Sequence, residues 1–326
     1  MTSKVSIITP VKNGEKYLDE YFESIINQSH ENWELIIVND HSSDQTNSII
    51  KKYAQTDTRI QHLQNNGQGI IDALNTAYSK ATGDFITRMD ADDQMPKNKL
   101  DIMLDRIPEK GAHLVVGKVK YIENEYLKSG YRQYASWLNG IIEKSSFKQE
   151  LYKECVIPSC AWLMQRSVFE SIGGFKNLSY PEDYDFCFRL MQHKINIIGI
   201  NKVVHLWRDY PERSSRNDKN YLDNTFIQLK TIRFIELDYR KSKPLLLWGA
   251  GNKGKQIAKL LNEKKIPFKW VCENDKKIGL KIYGNKLHIP SINPKAQYII
   301  AVANKEEQVK IKARLKDTTA DVFWFC

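Results

Sequence analysis

The stretch Phe85–Leu100, FITRMDADDQMPKNKL, places three aspartates, Asp90, Asp92 and Asp93, within four residues, directly after a short apolar run. Carboxylates that close repel one another, so a positive partner, a lysine or a metal ion, is expected among them. The chain as a whole has the opposite sign, with a formal net charge of +10. What the acid cluster belongs to is decided by the segments on either side of it.

Upstream, two kinds of pattern alternate. VSIITPV (Val5–Val11) and WELIIVND (Trp33–Asp40) are apolar, β-branched runs that predict strands buried on both faces. KYLDEYFESIINQS places Leu18, Phe22, Ile25 and Ile26 at helical spacing, and DQTNSIIKKYAQ predicts a second helix with Asp44 or Thr46 as N-cap. IQHLQN predicts a short strand, GIIDALNTAYSKA a helix, and GDFITRMD the strand that ends in the acid cluster. This βαβαβαβ order implies an α/β fold with a mostly parallel sheet covered by helices on both faces. In such sheets ligands gather at the carboxyl ends of the strands. Thr9, Asn13, Asp40 and Asp90–Asp93 are all expected just past strand ends, and so to converge on one site.

A length of 326 residues suggests two domains. The first is expected over 1–220, a helical linker over 221–242, and a smaller α/β domain over 243–326. The smaller domain opens with Gly249, Gly251 and Gly254 in a G-x-G-x-x-G pattern between a strand and a helix, and Glu273 ends the next strand. That context suits an accessory nucleotide-binding loop with its phosphate at the helix start; simple strand–helix packing accounts for the glycines equally well. The five cysteines are scattered without a C-x-x-C pair, which indicates reduced thiols rather than a zinc site or a disulfide framework. The basic excess suits anionic lipid headgroups or phosphorylated substrates. No nucleic-acid-binding motif accompanies it, so nucleic acid is not an expected partner. No apolar run approaches the roughly 20 residues needed to span a bilayer, and the first residues carry no long apolar signal region. The expected location is cytoplasmic, with peripheral contact at the inner face of the membrane.

Hard divalent cations prefer carboxylate oxygens, and Mn²⁺ or Mg²⁺ usually takes one or two from protein and the rest from substrate phosphates. An acidic turn after a strand meets that demand. Equally, Asp92 and Asp93 could cap the helix expected at KNKLDIMLDRI.

Five ordered blocks nevertheless resemble the family 2 glycosyltransferases, which have the GT-A fold: VSIITPVKNGEKYL, SIINQSHENWELIIVNDHSSDQT, GIIDALNTAYSKATGDFITRMDADD, LMQRSVFESIGGF and PEDYDFCFRL. The resemblance implies a nucleotide-diphosphate-sugar donor, an inverting transfer and a divalent metal. It places Thr9, Pro10, Asn13 and Asp40 around the nucleotide, Asp90 near the ribose, Asp92 on the metal and Asp183 as general base beside Glu182. His205, in VVHLWRDYPERSSR, is either a further metal ligand or structural. Trp207, Arg208, Arg213 and Arg216 are placed to close over the donor. Many members have Tyr-Arg-x-His here where this chain has Trp207-Arg208-Asp209-Tyr210. The Gln-x-x-Arg-Trp motif of processive members is absent, which implies single-sugar transfer to a glycan or lipid-linked acceptor. YRQYASWLNGIIEKSSF is either an aromatic platform for that acceptor or core. The C-terminal part resembles small Rossmann-like modules attached to sugar-modifying enzymes. A different reading makes the chain an NAD(P)- or nucleotide-binding sugar-modifying enzyme acting through that glycine-rich loop.

Overall fold

The computed structural model describes residues 3–176, 181–213, 216 and 226–326. The chain divides into two compact units, one formed by Met1–Phe147 with Val156–Asn217, the other by Lys148–Cys155 with Asp218–Cys326.

In the first unit, β1 (Val5–Val11), β2 (Trp33–Asn39), β3 (Ile60–Gln64) and β4 (Phe85–Arg88) alternate with α1 (Leu18–Ile26), α2 (Thr46–Thr56) and α3 (Ile70–Tyr78). There follow α4 (Lys99–Leu104), β5 (His113–Tyr121), α5 (Ser129–Lys144), α6 (Phe147–Glu150, which crosses into the second unit), β6 (Trp162–Gln165), α7 (Arg166–Ser171), α8 (Glu182–Gln192) and β7 (Asn196–Trp207). The strands form one sheet in the order β3-β2-β1-β4-β6-β5-β7. β1 to β4 are parallel, β6 runs antiparallel between β4 and β5, and β7 is parallel to β5. Every residue of β1 and β2 is buried, as their unbroken apolar runs require of strands covered on both faces. α1 buries Leu18, Tyr21, Phe22 and Ile25. Each such side chain contributes about 1.5–3 kcal/mol, so packing rather than intrinsic propensity fixes this short helix. Asp44 does not cap α2, whose N-cap is Gln45; its carboxylate accepts from Thr46 N at 3.0 Å and from Glu15 N at 3.1 Å, pinning the loop after β1.

The second unit adds α9 (Ile227–Leu237), β8 (Leu245–Trp248), α10 (Asn252–Glu263), β9 (Lys269–Val271), β10 (Lys281–Ile282), β11 (Asn285–His288), β12 (Gln297–Ile300), α11 (Lys305–Leu315) and β13 (Asp321–Trp324). Its sheet order is β10-β11-β9-β8-β12-β13, parallel except for the β10–β11 hairpin, which the sequence reading did not anticipate. Of the segment read as a linker, residues 221–225 lie outside the described ones, and α9 is packed within this unit. Phe234 of α9 and Phe325 both pack against Tyr152, whose hydroxyl donates to Asp238 at 2.6 Å. Among the described residues no helix is long and apolar enough to cross a membrane.

The loop between β8 and α10 carries Gly249 and Gly251, and Gly254 lies in the first turn of α10. Gly249 has φ +120°, and a Cβ there would lie 2.7 Å from the Ala301 carbonyl oxygen. A Cβ at Gly254 would lie 2.1 Å from the Gly249 oxygen, whereas one at Gly251 would meet nothing within 4 Å. Gly254→Ala is therefore expected to lower stability by about 1–3 kcal/mol through overpacking, and Gly251→Ala to change it by less than ~0.5 kcal/mol; equal effects in denaturant titrations would contradict this account.

One buried acid ties the first sheet together. Glu34, on β2, accepts from Ser6 Oγ of β1 at 2.6 Å, from Thr82 N at 2.6 Å and Gly83 N at 3.1 Å ahead of β4, and from Lys4 Nζ at 2.7 Å. Burial alone raises the carboxyl, but the hydrogen bonds from Lys4, Ser6 and Thr82 outweigh it and hold its pKa at about 2, below the ordinary 4.5. Because the folded value is depressed, the stabilisation is complete above about pH 4.5 and is lost as the pH falls towards 2. Glu34→Gln should cost about 1–3 kcal/mol at pH 7, and its stability gap to wild type should close across that acid window. Acid-unfolding curves with a constant gap would refute this.

Candidate active site

The site is built from the ends of β1, β2 and β4, the start of α8 and the end of β7. Arg88, the last residue of β4, is only 4% exposed. Its Nε lies 2.9 Å from Asp90 Oδ1 and its Nη1 2.7 Å from Glu182 Oε1 at the first turn of α8. Burial works against the guanidinium's charge, but Asp90 and Glu182 more than offset it and hold the arginine firmly protonated. Burial likewise raises Asp90, and Arg88 more than reverses this, leaving the carboxyl below its ordinary range. The positive partner expected among the acids is thus an arginine from the strand itself.

Asp93 is buried and does not cap α4, whose N-cap is Asn98. Its Oδ2 lies 2.9 Å from His205 Nε2, and its Oδ1 accepts from the Arg208 main-chain N–H at 2.7 Å. A bridge between Gln94 and Leu206 joins the same turn to β7. Asp92 is half-buried; its Oδ2 accepts from the Tyr210 hydroxyl at 2.9 Å, and its main-chain oxygen accepts from Arg208 Nε at 2.9 Å. Arg208 also pairs with Glu20 and lies over the Tyr17 ring, 4.7 Å from its centroid. Burial and the Asp93 carboxyl push Asp92 up to about 7, and burial pushes Asp93 to about 7 against the pull of Arg213. Burial, then the charge of Lys99, drive His205 well below its usual value, so the imidazole is neutral at pH 7.

At the start of α8 the two acids differ. Glu182 is 5% exposed and held by Arg88, with Oε2 buried and without a hydrogen-bond partner among the described residues. Asp183 is half-buried, and its Oδ2 accepts from Ser159 Oγ at 3.3 Å. A carboxylate in a helix first turn is favoured by the helix dipole.

Around the β1 and β2 ends, Asp40 is buried and accepts from Asn65 Nδ2 at 2.6 Å and from Gly69 N at 3.1 Å, which fixes the turn into α3. Asn13 is exposed with φ +53°, and its Oδ1 accepts from Ser43 N at 2.9 Å. Thr9 and Pro10 lie inside β1 rather than past its end; Thr9 is fully buried, sharing a hydrogen bond with the Tyr21 hydroxyl at 2.5 Å. Trp207 is packed in the core against Tyr121 and Tyr134, and Arg216 is bound to Asp209. In the second unit, Glu273 is paired with Arg314 at 2.6 Å.

Asp92 Oδ1 has no hydrogen-bond partner among the described residues, and the neighbouring Asp93 carboxyl repels it, a repulsion that a cation at the turn would relieve. Its hard oxygen donors fit Mn²⁺ or Mg²⁺. Asp93, Cys160 and His205 also bring ligand-type atoms within 4.8 Å of one another, but all three are buried, and the Asp93–His205 hydrogen bond engages two of them. Sequence reasoning missed Arg88 and Tyr210. The signal for Arg88 was a lone charged residue in an otherwise apolar strand, two positions before Asp90.

The sequence profile of Glycosyl transferase family 2 matches residues 6–173. The chain is 34% identical over 202 residues to UDP-Glc:alpha-D-GlcNAc-diphosphoundecaprenol beta-1,3-glucosyltransferase WfgD of Escherichia coli, covering 60% of this chain and 73% of that one. Among solved structures, Staphylococcus aureus TarS 1–349 in complex with UDP-GlcNAc aligns with a TM-score of 0.55 at 19% identity, over 79% of this chain and 72% of that one. The mannosyltransferase PcManGT of Pyrobaculum calidifontis, in complex with GDP-Man and Mn²⁺, aligns with a TM-score of 0.56 at 19% identity, over 74% and 66%. With the parallel sheet and the acid-lined strand ends already described, the profile match and the relationship to WfgD show that this chain belongs to glycosyl transferase family 2 and is a transferase enzyme.

Proposed function

We propose that the first unit moves a single sugar, with inversion, from a nucleotide-diphosphate sugar to a hydroxyl of a glycan or lipid-linked glycan, assisted by Mn²⁺ or Mg²⁺, with the second unit as an accessory module. The observation that carries this reading is Arg88, which fastens the Asp90–Asp93 turn to the start of α8 and so puts a cation-type acid turn and the half-buried Asp183 in one site. In the proposal Asp40, Asn13 and Pro10 frame the nucleotide base, Thr9 acts from behind through Tyr21, and Asp90 faces the ribose. Asp92 holds the cation, with Asp93 and His205 fixing the turn beneath it. The cation would supply charge neutralisation for the departing diphosphate. Arg208, already bound to the acid turn, is placed to meet phosphate oxygens.

Asp183 takes the proton of the acceptor hydroxyl. It is the more exposed of the two acids at the start of α8, and Ser159 Oγ donates to it at 3.3 Å. Glu182 is a positioning residue that acts through Arg88. The donor class is in keeping with the two like-folded structures, solved with UDP-GlcNAc and with GDP-Man and Mn²⁺. A diphosphate-lipid acceptor is in keeping with the name of WfgD, and it would give the net charge of +10 a purpose at an anionic membrane surface.

Two substitutions separate these roles. Asp92→Ala should weaken Mn²⁺-dependent binding of the nucleoside diphosphate by about tenfold or more in calorimetry. Asp183→Asn should bind donor as the wild type does and lose about 10²–10⁴-fold in kcat. Wild-type turnover in Asp183→Asn would remove the base assignment, and metal-independent binding unaffected by Asp92→Ala would remove the cation site.

A further inference from the structure

β5 outruns its neighbour. Its pairing with β6 ends at Val116, and its register with β7 shifts at Gly117, Lys118 and Val119. At Val119 the side chain of Asn139, on α5, replaces a neighbouring strand: Val119 N–H donates to Asn139 Oδ1 at 3.0 Å, and Asn139 Nδ2 donates to the Val119 oxygen at 2.9 Å. Strand and helix are thereby held at a fixed separation, and a cavity of about 650 Å³ lies between them. That volume is typical of a small-molecule site, within about 300–1,000 Å³.

The helix side of the cavity is formed by one face of α5, including Arg132, Ser136, Asn139 and Gly140. Gly140 sits in the helix interior, where glycine costs roughly 0.5–1 kcal/mol relative to alanine. No packing requirement explains it, because a Cβ there would meet nothing within 4 Å. The glycine instead leaves the cavity wall open. The lining also carries four cations, Lys118, Lys120, Arg132 and Lys144, against two acids, Glu123 and Glu143. Both acids are already matched, in the ion pairs Lys118–Glu143 and Arg132–Glu123. Lys120 and Lys144 remain as exposed positive charges on a cavity that also offers the Ser136 hydroxyl and aliphatic surface. Its inner wall, Tyr121, pairs with Trp207 across β5 and β7, and the next residue, Arg208, donates its main-chain N–H to Asp93 at 2.7 Å. The cavity and the acid turn are therefore adjacent, and their ligands are distinct in kind: carboxylates and a cation on one side, lysines on the other.

We propose that this cavity binds the acceptor, a glycan carrying a phosphate or diphosphate that lies against Lys120 and Lys144. The role as acceptor rests on the transferase reading above; the binding itself does not. Lysines recognise the phosphate, so binding needs no metal, unlike the donor.

The test is calorimetric titration of the full chain, in EDTA, with GlcNAc diphosphate bearing a short alkyl chain, and with inorganic diphosphate as control. The wild type and Asp92→Ala should bind the glycan diphosphate equally, and the control more weakly. Gly140→Leu, which adds a side chain to the cavity wall where a Cβ would meet nothing within 4 Å, and the charge-reversed Lys120→Glu/Lys144→Glu variant should each weaken binding by about tenfold or more. Gly140→Leu should unfold at or above the wild-type temperature; if it does not fold, the charge-reversed variant decides. Wild-type affinity in the folded variants, loss of binding in Asp92→Ala, or no binding of the glycan diphosphate alongside capture by phosphatidylglycerol vesicles would each overturn the proposal. A failure of the transferase reading would show separately, as unchanged turnover in Asp183→Asn.

Discussion

The site depends on one buried guanidinium. Arg88 ends a strand in the middle of the first sheet and is enclosed by protein, yet it makes ion pairs with two acids, Asp90, two residues on, and Glu182, 94 residues on. A charge in such a position is tolerable only when paired, since an isolated buried ion costs several kcal/mol. The pairing therefore works in both directions. The acids make the arginine possible, and the arginine fixes the acid turn after β4 relative to the start of α8. With Glu182 committed, Asp183 is left half-exposed at the same helix start.

The turn is fixed from its other side as well. Asp93 joins it to β7 through His205 and the Arg208 main chain, and Tyr210 reaches back to Asp92. The outcome is an acid cluster whose rigid members face inward and whose Asp92 keeps one oxygen open. That division suits a site in which a cation is brought in with the substrate. A permanent metal centre would be expected to show several open ligands instead.

The fully buried β1 and β2 were legible because an unbroken β-branched run has few alternatives to a strand covered on both faces. The clustering of Asp40 and Asp90–Asp93 at strand ends follows from parallel topology alone. What was not legible depends on pairing across long separations. Nothing in the local pattern says that Asp93 meets His205, 112 residues away, instead of capping the next helix. Periodicity also could not tell that Trp207 and the aromatics of α5 are packed together in the core. The segment Lys148–Cys155 belongs to the second unit because Tyr152 stacks with Phe325, again a contact with no local signature.

The account's central claim is that the Arg88–Glu182 pair exists to position the site rather than to stabilise the fold. The most direct test measures unfolding free energy and turnover together in the double variant Arg88→Met/Glu182→Met. Replacing both partners of a buried ion pair by apolar side chains is often neutral, whereas removing one costs about 3–5 kcal/mol. The double variant should therefore match wild-type stability to within about 1–2 kcal/mol and lose about 10²-fold or more in turnover with the nucleotide sugar that the wild type uses. A folded double variant with wild-type turnover would contradict the account.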